Sequence, residues 1–139
     1  MARTKFEVEV LTPEGEVFAE EVEMVSTRTG TGSLGILANH QPLLGLLDPT
    51  ELRLYRSDSD IVRFAQGEGY VQVANGRVMV LVEEATDPDK LDTSELQDKL
   101  KRAEDEISSN DEDSEAYRRA CRDKRRWEAF IRVAQGDQA

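Results

Sequence analysis

A single change of period, at Asp87-Pro88-Asp89, limits what this chain of 139 residues can fold into. Before it, apolar and polar residues alternate: Phe6, Val8 and Val10 with Glu7 and Glu9, Val22 and Met24 with Glu21 and Glu23, Val71 and Val73 with Gln72. Period two puts one face of each segment in a core and the other in water, so half-buried antiparallel strands are predicted from Lys5 to about Ala85. Turn signals divide them: Thr12-Pro13-Glu14-Gly15, Asp48-Pro49-Thr50, Ser57-Asp58-Ser59-Asp60, Gly67-Glu68-Gly69 and Asn75-Gly76. The last is a type I′ hairpin signal, because both residues tolerate positive φ. Short strands at this spacing predict a β-sandwich or flattened barrel, and the missing βαβ rhythm argues against a parallel sheet.

Beyond Pro88 the apolar residues recur every three or four positions. Leu96, Leu100, Ala103 and Ile107 mark one helix face; Tyr117, Ala120, Lys124, Trp127, Ile131 and Ala134 mark another. Asp92 with Glu95, or Ser94 with Gln97, can cap the first helix, Ser108 to Asp113 is a polar break, and Ser114 can cap the second. The expected fold is β followed by α: an N-terminal antiparallel β-sandwich over residues 1–86 and a C-terminal antiparallel two-helix hairpin over residues 87–139. The apolar faces of the hairpin are narrow and one contains Lys124, so its docking on the sandwich is expected to be reversible.

Charge excludes several classes of function. Twenty-nine acids against 18 bases leave a net charge of −11, which repels nucleic acid and anionic lipid unless a basic site is local. Such a site exists. Glu104 to Glu115 holds seven acids and no base, whereas Arg118 to Arg132 holds seven bases and two acids, a local charge of +5. The second helix is either a solvated face with local ion pairs or a surface offered to an acidic partner. Its small apolar face disfavours a membrane-surface helix or a calmodulin-type target. The longest apolar runs, such as Val78 to Val82, have five residues, far below the roughly 20 that span a bilayer. The first residues, with no apolar run behind Arg3 and Lys5, read as no secretory signal.

The residues offer little for catalysis. Gly30-Thr31-Gly32-Ser33-Leu34-Gly35 matches the dinucleotide pattern G-x-G-x-x-G, but Pro42 leaves no room for the helix that must follow. A glycine-rich loop between strands is the better reading, and a nicotinamide-linked enzyme rests on that match alone. His40 is the sole histidine and Cys121 the sole cysteine, so no zinc site of ordinary composition can be assembled and no internal disulfide can form. Adjacent carboxylates such as Glu83-Glu84 point to opposite strand faces, which is wrong for shared acid–base work. Cys121 lies among Arg118, Arg122 and Arg125, but a small half-buried packing residue is the simpler account.

The run Gly32-Ser33-Leu34-Gly35-Ile36-Leu37-Ala38-Asn39-His40-Gln41-Pro42-Leu43-Leu44 resembles the G-x-L-G-I-L-x-x-H-x-P-L-L signature of the epsilon subunit of rotary, proton-translocating ATP synthases. Gly67 to Val73 and Asn75 to Val82, with Ala85, resemble the same family's closing hairpin, so the likeness covers nearly the whole chain. It implies a sandwich of about ten strands with a helical hairpin, and a non-catalytic rotor subunit on the central stalk, peripheral to the cytoplasmic side of a bacterial plasma membrane. Similar chains occur in plastids. The implied partners are the gamma subunit, the c-ring and the catalytic alpha and beta subunits. Ser33, Leu34, Gly35, His40 and Pro42 would lie toward gamma and the c-ring, although Ser33 stands where many relatives have an acidic or other polar residue. In bacterial relatives the hairpin can extend and block ATP hydrolysis; here Arg118, Arg119, Arg122, Lys124, Arg125 and Arg126 would meet acids of the catalytic subunit.

No cofactor is implied. Some relatives bind ATP as a regulatory ligand through an Ile/Leu-Asp-x-x-Arg-Ala motif and further arginines. The matching positions are Leu91 and Asp92, with Arg102 and Arg122 as further candidates, but Glu95 replaces the motif arginine and Leu96 its alanine. The reversed charge predicts weak ATP binding or none. The rival reading is a free-standing β-sandwich module that recognises an acidic protein through its basic helix.

Overall fold

The protein is described from a computed structural model that covers residues 3–136. The outermost ends of the two predicted regions, residues 1–2 and 137–139, lie outside it. Ten strands precede two helices: β1 (Phe6–Thr12), β2 (Gly15–Val22), β3 (Met24–Thr29), β4 (Gly32–Ile36), β5 (Leu43–Leu47), β6 (Thr50–Tyr55), β7 (Ile61–Gln66), β8 (Gly69–Ala74), β9 (Arg77–Val82) and β10 (Ala85–Thr86). A short 3-10 turn, Pro88–Lys90, leads to α1 (Thr93–Ser109) and α2 (Glu115–Ala134).

Two groups of strands, β5-β8-β9-β1-β2 and β4-β3-β6-β7-β10, face each other. A single pairing, Thr29 with Leu47, joins them at one corner. Alternation fills the space between: Val8 and Val10 of β1, Val71 and Val73 of β8, Val78 and Val80 of β9, and Leu52 and Leu54 of β6 all enter one buried cluster. Burying each such aliphatic side chain contributes roughly 1.5–3 kcal/mol, which makes this cluster the main source of stability.

The strands are antiparallel with one exception, which the sequence did not announce. β1 runs parallel to β9, with Val8 opposite Val78 and Val10 opposite Val80. Parallel neighbours need no local crossover helix when they lie at opposite ends of the strand order in sequence, and here more than 60 residues of intervening sheet serve as the connection. Asn75 and Gly76 take φ of 54° and 75°, as the β8–β9 turn requires. Gly69 has a different role: a Cβ there would run into the Leu81 carbonyl of the neighbouring strand. The glycine-rich segment is a hairpin, with Ser33 to Gly35 inside β4 paired to β3 and no helix after it.

Asp92 caps α1, its carboxylate accepting from the Ser94 and Glu95 amides at 2.9 and 3.3 Å; the first of the two predicted caps is therefore the one used. Ser114 caps α2 by accepting from the Tyr117 amide at 3.1 Å. Leu96 and Ala103 of α1 and Ala120 of α2 are buried, as their spacing predicts. A second stripe on α2, Ala129, Phe130 and Val133, is also buried. Phe130 and Val133 join Ala65 of β7 and Leu96 in a small second core between the hairpin and the sheet. The sheet-facing stripe was missed because Arg126, Glu128 and Arg132 interrupt it, and a hydropathy reading takes arginine for a wet position when its aliphatic stem is packed.

Candidate functional site

Three surfaces could carry function. The first is an apolar row on the outside of the β5-β8-β9 layer. Leu46 pairs with Tyr70, and Tyr70 with Leu81, so the three side chains stand in line across adjacent strands. Leu44, two residues from Leu46, shares their face. Leu44 and Leu46 are 73% and 69% exposed and Tyr70 52%, which a solvated sheet face does not require. Grouped exposed apolar side chains mark contact surfaces. The signal was present in the run Leu43-Leu44-Gly45-Leu46-Leu47: a half-buried strand with no polar residue must present leucine on both faces.

The second surface contains the predicted stalk-facing residues. Ser33 and Gly35 are exposed on β4, while Leu34 between them packs against the main core. The chain then turns through Asn39, at φ 63°, to exposed His40 and Pro42. His40 Nδ1 lies 2.7 Å from the Gln41 carbonyl oxygen, which orients the ring, and its other nitrogen has no partner among the described residues. Exposed Leu37 adds an apolar contact at this end.

The third is the basic side of α2. Five of its six candidate bases are engaged: Arg118 and Arg122 with Glu115 at 3.7 and 3.4 Å, Lys124 with Glu104 at 3.9 Å, Arg125 with Asp48 at 2.8 Å and Arg126 with Glu68 at 2.9 Å. Arg119 makes no ion pair among the described residues. The last two pairs join hairpin to sandwich and were not foreseen, because Asp48 and Glu68 lie in turns remote from α2 in sequence. Beside Arg125, a cleft of about 250 Å³ is lined by Arg28, Asp48, Glu128 and Arg132.

The candidate nucleotide residues are dispersed in role. Leu91 packs into the second core, and the Asp92 carboxylate is occupied by its cap. Arg102 lines a groove between the helices with Lys99, Glu106, Asp123 and Trp127, whereas Arg122 is held by Glu115. Glu95 is exposed, 3.9 Å from Lys99. Cys121 is half-buried beside Tyr117, whose phenol it pushes above its ordinary value by charge repulsion and hydrogen bonding. Among the described residues no group of three or more histidine, cysteine, aspartate or glutamate side chains could hold a metal ion, and no helix is long and apolar enough to cross a membrane.

Contact surfaces arranged around a sandwich, with a basic helical hairpin packed against it, define a class of protein that works by docking. Residues 5–88 match the family described as ATP synthase, Delta/Epsilon chain, beta-sandwich domain, and the chain belongs to that family. It is 40% identical over 100 residues to ATP synthase epsilon chain 2 of Syntrophotalea carbinolica, covering 72% of each chain. It is 36% identical over 106 residues to the ATP synthase epsilon chain of Priestia megaterium, covering 76% of this chain and 78% of the other. Its fold also matches a chain in the cryo-EM structure of the Euglena gracilis mitochondrial ATP synthase, with a TM-score of 0.77 and 20% identity over 91% of this chain and 79% of that one. The free-standing module and the nicotinamide enzyme are thereby set aside.

Proposed function

We propose that this chain is the epsilon-type rotor subunit of an ATP synthase, a non-catalytic part of the central stalk that docks gamma and the c-ring to the catalytic head. The observation that carries this reading is the combination of family membership with the Leu44, Leu46, Tyr70 and Leu81 row, an unsatisfied apolar face of the kind a permanent subunit contact buries. That row serves gamma. The exposed end formed by Ser33, Leu37, His40 and Pro42 faces the c-ring, where Ser33 contributes a hydroxyl rather than a charge. In this assembly the chain is peripheral, on the cytoplasmic side of a bacterial plasma membrane.

The hairpin is a brake on ATP hydrolysis. Its helix α2 concentrates Arg118, Arg119, Arg122, Lys124, Arg125 and Arg126 on a protein that is otherwise acidic, and its junction with the sheet rests on the small cluster of Ala65, Leu96, Phe130 and Val133. A junction of that size keeps docked and released states within a few kcal/mol, the condition under which a partner shifts the population. ATP contributes little to this regulation. Glu95 opposes a triphosphate, Leu91 packs in the second core, and Asp92 and Arg122 are already engaged by the α1 cap and by Glu115, which leaves Arg102 as the one candidate open in the groove among the described residues. Calorimetry with the full chain is expected to give no low-micromolar ATP binding; a dissociation constant in that range would overturn this part.

The deciding experiment is ATP hydrolysis by the cognate catalytic complex, reconstituted with the full chain or with one ended at Asp87, once binding of both is confirmed. Suppression by the full chain alone identifies the hairpin as the brake. Equal activity leaves the sandwich's docking role and removes the brake. Failure of both to bind overturns the assignment as a rotor subunit.

A further inference from the structure

Of the two ion pairs that hold α2 to the sandwich, only one is sheltered. Arg125 and Asp48 leave 56% and 29% of their side chains exposed, so solvent competes for both and the pair contributes little. Arg126 and Glu68 are 17% and 23% exposed, with Nη2 2.9 Å from Oε1. The site around them is shaped for this contact. Gly67 leaves room for the guanidinium: a Cβ there would lie 3.3 Å from Arg126 Nε. The Trp127 ring lies 5.6 Å from the same guanidinium, and Nε itself is buried without a hydrogen-bond partner. Glu68 is held in place from behind, since the Gly67 amide donates to the Glu84 carbonyl at 2.8 Å and the Glu83 amide to the Glu68 carbonyl at 3.0 Å.

We infer that Glu68 is an internal decoy: it occupies Arg126 in the docked hairpin as an acidic residue of a partner would in the released one, so the two contacts compete for one guanidinium. This rests on the reading of α2 as the element that meets acidic residues of the catalytic subunit. Because α2 must leave Glu68 behind to carry Arg126 to a partner's acid, the strength of the Arg126–Glu68 pair sets how readily the hairpin is released. Loss of a sheltered charged hydrogen bond is expected to raise the released fraction by about tenfold or more.

The test uses the full chain in two assays. Amide exchange across α2 in the free protein reports release, with the strands of the main core as a folding control. Hydrolysis by the reconstituted complex reports the partner contact. E68Q is expected to speed α2 exchange about tenfold and to deepen inhibition. R126Q is expected to speed exchange similarly but to weaken inhibition, because it removes the group that both acids want. D48N changes exchange little, and E68D, which keeps the carboxylate, stays near wild type. Unchanged α2 exchange in E68Q overturns the latch whatever hydrolysis does. Faster exchange in both variants with hydrolysis moving the same way, or not at all, overturns the competition. Failure of the brake itself is seen separately, as equal hydrolysis with and without the hairpin.

Discussion

Gln66 shows how much a single side chain can organise without touching a partner. It is fully buried at the end of β7, its Oε1 accepting from the Thr27 hydroxyl at 2.8 Å and its Nε2 donating to the Asp48 carbonyl at 3.0 Å. One amide thus fixes strand β3, the turn that carries Asp48, and its own chain just before Gly67 and Glu68. Its place in the sequence, at the end of an ordinary strand, gave no sign of this, because burial of a polar residue depends on what other strands bring to it. A more exposed pair has a different signature. Arg56 holds Glu20 through two bonds of 2.9 and 2.8 Å, and this hydrogen bonding keeps the Glu20 carboxyl below its ordinary value. A carboxyl whose folded value is lowered binds fewer protons in the folded chain. Its contribution is therefore present above the ordinary glutamate range and is lost as pH falls through the folded value. Carboxyl NMR titration is expected to place the Glu20 midpoint below that of its neighbours, and R56Q to return it to the ordinary value.

At the scale of elements, the helices were legible in number, position and caps, while their second contact was not. Tyr117, Ala120, Trp127 and Ile131 announce a face by spacing alone. The Phe130 and Val133 face is read only once β7 supplies Ala65 beneath it. Strand existence was equally clear from alternation, but the order of strands was not, since pairing such as β5 with β8 is set by packing across the core rather than by any local signal. The small junction predicts a local effect. Phe130→Ala removes the largest fully buried side chain of α2, at a cost of about 3–5 kcal/mol. Limited proteolysis is expected to cut the hairpin early in that variant and leave the sandwich intact; simultaneous loss of both would show that the two unfold as one unit.

In the proposed function, the contact row and the basic helix divide the work of the whole molecule between a fixed face and a movable one. Leu46→Lys with Tyr70→Glu places an opposite-charge cross-strand pair on the fixed face at positions already open to water. The thermal midpoint should barely move, with a change in stability within about 0.5 kcal/mol per site, while co-purification with the stalk is lost. A fall in midpoint of many degrees would instead assign the row to the fold. The candidate site was readable in the sequence where it depends on one segment, as in the Ser33 to Pro42 run and the cationic stretch of α2. It was hidden where distant strands align single residues, as with Leu46, Tyr70 and Leu81. The same holds for the parallel pairing of β1 with β9, and it has a kinetic consequence. The first strand finds one of its two neighbours only after Val82 has been made, so closure depends on contacts of high sequence separation. During synthesis the β1–β2 hairpin must wait with one edge open, and the ninth strand is the step that covers it and ties the start of the nascent chain to the rest of the sheet.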